Sequence, residues 1–252
     1  MNGNTELQAI YVLWLRQMKR FIRARSRLIA NIVQPFFFLM VFGFGFSSFR
    51  FGADVNYIDF LAPGMIAMSV VFSSIFAGVS VIWDRQFGFL KEVLVAPVSR
   101  LTIAVGQTLG GSTIAVVQGL IVLGISLLLG VEISPLGIFP ALAFMILIAF
   151  SFVSLGLAIA SRLEDFHGFQ LIMNLLIMPL IFLSSAFFPI QGVPEWMKSV
   201  MLINPLTYAV DGLRGWLIGI SAISLYIDFA ALILLSITLM IISTIAFSRC
   251  EV

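Results

Sequence analysis

Charge is scarce in this sequence. Only 10% of its 252 residues are Asp, Glu, Lys or Arg, against roughly 25% in soluble globular chains. Cysteine occurs once, as Cys250, and histidine once, as His167. A lone thiol excludes an internal disulfide, and no Cys or His spacing suits a metal. Without an HExxH motif a zinc protease has no ligands. An intramembrane serine protease would lack its histidine within the bilayer. His167 stands beside Glu164 and Asp165 and reads as a solvated residue. The long apolar stretches contain no ionisable side chain; Asp59 and Asp228 fall at their ends. Proton relays and ion-coupled transport need such groups at membrane depth, so a secondary transporter is disfavoured. A net charge of +2 is too small to indicate nucleic acid as a partner.

Apolar surface is plentiful. Hydrophobic residues make up 61% of the chain and the mean hydropathy is +1.12, an excess that must face lipid. Charge-free length places six spans, at 28–49, 60–82, 101–129, 138–160, 170–188 and 229–247. Backbone polar groups cannot go unpaired in hydrocarbon, so each span is expected to be helical. The predicted fold is all-α, a single polytopic domain over residues 1–252. The short connections hold no soluble module of about 100 residues, so chemistry that needs one must come from another polypeptide. The polar, basic first 27 residues do not read as a cleavable leader.

Eleven of the fourteen Lys and Arg residues fall on one side of this path: Arg16, Lys19, Arg20, Arg23, Arg25, Arg27, Arg85, Lys91, Arg100, Arg162 and Arg249. Arg50, Lys198 and Arg214 fall on the other. The asymmetry predicts that both termini are cytoplasmic. Near the start, Leu7, Ile10, Trp14, Met18 and Phe21 recur at helical spacing, with Arg16, Arg20, Arg23 and Arg27 offset around the helix. This predicts an interfacial amphipathic helix over 1–27 that lies against membrane lipid. Gly106, Gly110 and Gly111 have the spacing of a phosphate loop, but the Lys before Ser112 is missing. Close helix packing is the expected role of Gly106 and Gly110.

Two segments stand apart from the spans. Residues 83–100 form a loop on the basic side, with Phe87, Phe89, Leu90 and Leu94 set among Asp84, Arg85, Lys91 and Glu92. A short helix from about Phe89 to Ala96, ended by Pro97, would suit a groove on a partner protein. On the opposite side, residues 188–225 carry helix breakers at Pro189 and Pro194. Asn204-Pro205 then supplies an N-cap and a first helical residue. Leu206, Val210, Leu213, Leu217 and Ile220 form the apolar face of that helix, and Asp211 and Arg214 lie three apart, within pairing reach. Short helices re-entering the outer leaflet are expected.

The stretches DRQFGFLKEVLVAPVSR, FLSSAFFPIQGVPEW and NPLTYAVDGLR, in this order between these spans, resemble the membrane subunits of ABC transporters of the type-2 permease family, including daunorubicin-resistance and nodulation-export permeases. The resemblance implies an exporter of a lipophilic or amphipathic compound such as a drug, lipid or glycolipid, built from two permease copies. It also implies an ABC ATP-binding subunit that carries ATP and Mg, with no cofactor on this chain. The 83–100 loop would be the coupling helix, with Arg85, Phe87, Gly88, Leu90, Lys91, Glu92 and Pro97 as coupling residues. Pro189, Pro194, Asn204, Pro205, Tyr208, Asp211 and Arg214 would form an outer gating motif. Gln86 stands where relatives often carry an acid, and Ser185 where glycine is common. Ser73, Ser74, Gln107, Gln118 and Asn174 are the candidate polar linings of a pathway between copies. A membrane scaffold without a transport cycle, or a uniporter, are the alternative readings, and a bacterial or archaeal plasma membrane is the expected location.

Overall fold

The computed structural model of the chain describes residues 3–23, 25–46, 50–51, 55–88, 95, 98–163 and 165–248. The fold is all-α apart from a two-residue antiparallel ladder that pairs Arg50 with Asn56 and Phe51 with Val55. Helix α1 (Gly3–Arg23) precedes α2 (Arg25–Gly45). Helices α3 (Tyr57–Ala77) and α4 (Val79–Gln86) are nearly continuous. They are followed by α5 (Arg100–Leu128), α6 (Ile138–Ala160) and α7 (Phe166–Phe182). After a 3-10 turn at Ile190–Gly192 come two short helices, α8 (Glu195–Ile203) and α9 (Pro205–Ile218), and then α10 (Leu225–Ser248).

Among the described residues, four helical stretches are long and apolar enough to cross a membrane: Tyr57–Gln86, Arg100–Leu128, Ile138–Ala160 and Leu225–Phe247. The expected span at 138–160 coincides with α6. The one expected at 170–188 does not hold its length. Helix α7 has 17 residues, about 25 Å at 1.5 Å each, short of a hydrocarbon core of about 30 Å. It stops because the Ser184 hydroxyl donates to the Ile181 carbonyl and accepts from the Ala186 amide. These local bonds draw the backbone out of the helical ladder. Helix α2 has 21 residues, with Pro35 inside it.

Helix α3 is the centre of the bundle. The apolar part of the α3–α4 stretch is 83% buried, against 22% for that of α10, so α10 leaves most of its surface uncovered. Leu61, Ile66 and Val70 of α3 share a core with Met145, Ile148 and Phe152 of α6 and Leu213 of α9. Where α3 passes into α4, the backbones of Gly78 and Gly156 meet. A Cβ on Gly78 would lie 2.5 Å from the Gly156 carbonyl, and one on Gly156 would lie 2.5 Å from the Ile75 oxygen. Only glycine at both positions lets the two helices close to this distance.

Candidate functional site

The described ends of the 83–100 loop rise from a frame of cross-linked helices. Asp84, in the last turn of α4, is buried with 3% of its surface exposed. A carboxylate there needs positive partners, and α1 supplies them. Both terminal nitrogens of Arg16 reach the Asp84 oxygens, one at 2.8 Å, and Arg20 Nη2 donates to Oδ1 at 3.0 Å. One helical turn separates the two arginines, so both lie on one face of α1. Gln17, between them, donates to the Ser80 hydroxyl at 3.1 Å and to the Gln107 side chain. The predicted basic stripe is therefore divided. Arg16 and Arg20 turn inward to Asp84, Arg23 remains exposed, and the side chain of Arg27 lies outside the described residues.

The other end of the loop is held by the other end of α1. Ser99 is the N-cap of α5, its hydroxyl accepting from Thr102 N at 3.0 Å. Glu6 accepts from the Ser99 amide at 3.2 Å and from the Thr102 hydroxyl, placing negative charge at a helix N-terminus, where the macrodipole favours it. Between these ends α1 lies along α5 on its glycines. A Cβ on Gly106 would meet Leu13 at 2.9 Å, and one on Gly110 would meet Gln17 at 2.7 Å. The expected close packing at these glycines is present, with α1 as its partner. Trp14 Nε1 donates to the Thr113 hydroxyl at 3.1 Å.

Arg85 looks inward too. Its guanidinium donates to the Leu163 carbonyl at 3.1 Å and the Ser161 carbonyl at 3.2 Å, satisfying acceptors at the end of α6. Phe87 is 84% exposed. Gly88 has a φ of +74°, and nothing lies within 4 Å of where a Cβ would stand. Leu90, Lys91, Glu92 and Pro97 lie outside the described residues, and of the expected helix at 89–96 Val95 alone is described.

At the opposite end of the bundle, Asn204 caps α9 as predicted, its side-chain oxygen accepting from Leu206 N at 3.0 Å. Its Nδ2 also donates to the Leu180 and Leu183 carbonyls at 2.7 and 2.8 Å, tying α9 to the end of α7. Pro205 takes the first helical position and Pro194 precedes α8. Pro189 opens the 3-10 turn, and the Tyr208 hydroxyl donates to the Leu202 carbonyl at 2.6 Å. Leu206, Val210, Leu213 and Leu217 are fully buried. Ile220 is not on that face, because the helix ends at Gly219 in the left-handed region, φ +75°.

Asp211 and Arg214 do not pair with each other, although their spacing allows it; each has backbone partners. Asp211 accepts from Ala222 N at 3.0 Å and Ile223 N at 2.8 Å, closing the turn into α10. Arg214 donates to Ser185 O at 2.7 Å and Phe60 O at 3.3 Å, and its guanidinium lies 3.7 Å over the Phe60 ring. It thus joins α9 to the start of α3 and to the turn after α7.

Residues 8–218, which include Asp84, Ser99, Asn204, Asp211 and Arg214, match the family described as ABC-2 type transporter. The chain belongs to the ABC-2 type transporter family. Among its relatives is the putative transport permease ycf38 of Pyropia yezoensis, 30% identical over 82% of this chain and 73% of the relative. The inner membrane transport permease YadH of Escherichia coli K12 is 27% identical over 89% of both chains. The daunorubicin resistance ABC transporter permease protein DrrB1 of Streptomyces coeruleorubidus is 28% identical over 80% of this chain and 72% of the relative. With its apolar helices, the chain is a multi-pass membrane permease of this family.

The candidate pathway residues of this ABC-2 permease separate by environment. The Ser74 hydroxyl donates to the Val70 carbonyl one turn back, and Gln107 is taken by Gln17. Asn174 is exposed on α7. Ser73 and Gln118 line cavities. Sequence reasoning missed Glu6, Gln17 and the buried role of Asp84. The available signal was the position of Asp84 at the edge of a long apolar run, facing a helix rich in Arg.

Proposed function

We propose that this ABC-2 permease is the membrane subunit of an ATP-driven exporter for a lipophilic or amphipathic compound. It would work as two copies with a separate ABC ATP-binding subunit that carries ATP and Mg. The polypeptide crosses the membrane six times, α7 being the shortest crossing. Both termini and the 83–100 loop are cytoplasmic, and α8 and α9 re-enter the outer leaflet. The Lys and Arg asymmetry supports this orientation.

The observation that carries the reading is the double fastening of the loop. Asp84 with Arg16 and Arg20 secures its start, and Glu6 with Ser99 and Thr102 secures its end. Arg85 adds α6 to the same frame. A push on the loop would therefore move α1, α4, α5 and α6 as one body, the rigid-body tilt that an external motor needs. In this reading Phe87 and Gly88 meet the ATP-binding subunit, together with Leu90, Lys91, Glu92 and Pro97. Arg85 positions the frame behind them. Asn204, Asp211 and Arg214 hold the outer ends of the helices in register as the inner ends move.

The test is co-purification of the permease with an ABC ATP-binding protein, followed by ATP-driven efflux from vesicles. Phe87→Asp is expected to abolish both while leaving thermal unfolding of the permease nearly unchanged, because Phe87 is exposed. Retention of partner and efflux in that variant would show that the loop is not the docking element.

A further inference from the structure

Gln118 lies at the middle of α5 with 1% of its surface exposed, and neither Nε2 nor Oε1 has a hydrogen-bond partner among the described residues. A buried carboxamide with both ends unsatisfied is costly, about 1–3 kcal/mol for each such group. Gln118 cannot withdraw, because its neighbour Gly119 holds α5 against α3. A Cβ on Gly119 would stand 2.6 Å from Val70. The amide lines a cavity of about 30 Å³ between α2, α3 and α5. Gln34, Phe72 and Ser73 form part of its wall, and the same three residues line an adjoining space of about 390 Å³ that runs past Phe76 to Trp83. A volume of that size suits a small organic molecule. None of the described residues lining either space carries a charge.

We infer that these two spaces form one binding site for an uncharged amphipathic molecule. Its aromatic or aliphatic body lies along Phe72, Phe76 and Trp83, and a hydroxyl or amide at its tip reaches the Gln118 carboxamide. The inference names the substrate class of the proposed exporter and rests on that reading. An apolar body matches the aromatic wall. A tip that both donates and accepts matches a carboxamide that lacks both partners. Around Gln118 the described lining offers an ionic headgroup no counter-charge, which a buried charge needs.

The test uses the permease in lipid nanodiscs, titrated with 1-pyrenemethanol and with 1-methylpyrene, which differ by one hydroxyl. Binding is read by energy transfer from tryptophan, corrected with empty nanodiscs. The permease is expected to prefer the alcohol by about tenfold, the worth of one well-made buried hydrogen bond. Gln118→Leu should erase the preference and keep methylpyrene binding. Phe72→Trp, which fills the space shared by the two cavities, should weaken both probes at least about fivefold. Equal affinity for both probes, or a preference that survives Gln118→Leu, would overturn the site and leave the amide to an internal water. So would binding of both probes unchanged by Phe72→Trp. Neither ATP nor a partner subunit enters this assay, so its failure is separable from failure of the docking test.

Discussion

Asp84 accepts from Arg16 across 68 residues of chain, and the pair joins α1 to the end of α4. The carboxylate is buried whereas Arg16 is partly exposed, its side chain at 26%. The two partners therefore respond differently to substitution. Losing Asp84 takes from Arg16 and Arg20 a shared carboxylate, and both side chains are partly exposed already. Losing Arg16 leaves a buried carboxylate with Arg20 as its remaining ionic partner.

Asp84→Asn is expected to release α1 from the bundle. The cost is about 1.5–3 kcal/mol, the range for hydrogen bonds to charged groups. The readout is trypsin cleavage at Arg16, Lys19 and Arg20 in detergent, which should accelerate well before global unfolding. Arg16→Ala should destabilise at least as much, and the double variant should cost less than the sum of the singles. Strict additivity would mean that the contact contributes nothing to the docking of α1.

Asn204 makes a prediction of order. Asn204→Ala loses the cap, worth about 1 kcal/mol, and the two bonds to Leu180 and Leu183, so a total near 2–3 kcal/mol is expected. Aspartate is an equally good cap, yet Asn204→Asp should be worse than alanine. It would set a carboxylate oxygen where Nδ2 now lies 2.7 and 2.8 Å from two carbonyl oxygens. Thermal unfolding of the three proteins in one detergent gives the order. Aspartate matching wild type would show that capping alone accounts for the role of Asn204.

These two sites also mark where the sequence was readable. The cap at Asn204 and the start of α9 at Pro205 depend on neighbouring residues, and local chemistry identified them. The span at 138–160 was equally clear, since nothing within it competes with helix. Local spacing failed where a side chain had a choice of partners. Asp211 and Arg214 sit three apart, but backbone groups of Ala222, Ile223 and Ser185, brought close only by the fold, outcompete the pair. The partners of Asp84 were hidden for the same reason, because α1 meets α4 only once α5 has folded back on both. Charge-free length ran past the end of α7, since it does not register the hydroxyl of Ser184 bonding back to Ile181.

The crossing of Gly78 and Gly156 gives the sharpest contrast with local propensity. In an isolated helix, glycine to alanine stabilises by about 1 kcal/mol, so helix propensity alone favours Gly156→Ala. Here the added methyl would stand 2.5 Å from the Ile75 carbonyl oxygen and 3.1 Å from the Ile75 Cα. Both are backbone atoms, which no rotamer change can move. The helices must separate, and overpacking of this kind costs about 1–3 kcal/mol, so the net effect should be destabilising. Separation at this point also loosens α6 from α4 beside Arg85, whose bonds to Ser161 and Leu163 lie one turn further along. Gly156→Ala should therefore lower both the unfolding temperature and the efflux rate, and Gly156→Val should lower them further. An alanine variant that melts higher than wild type would show that the two backbones are not in contact.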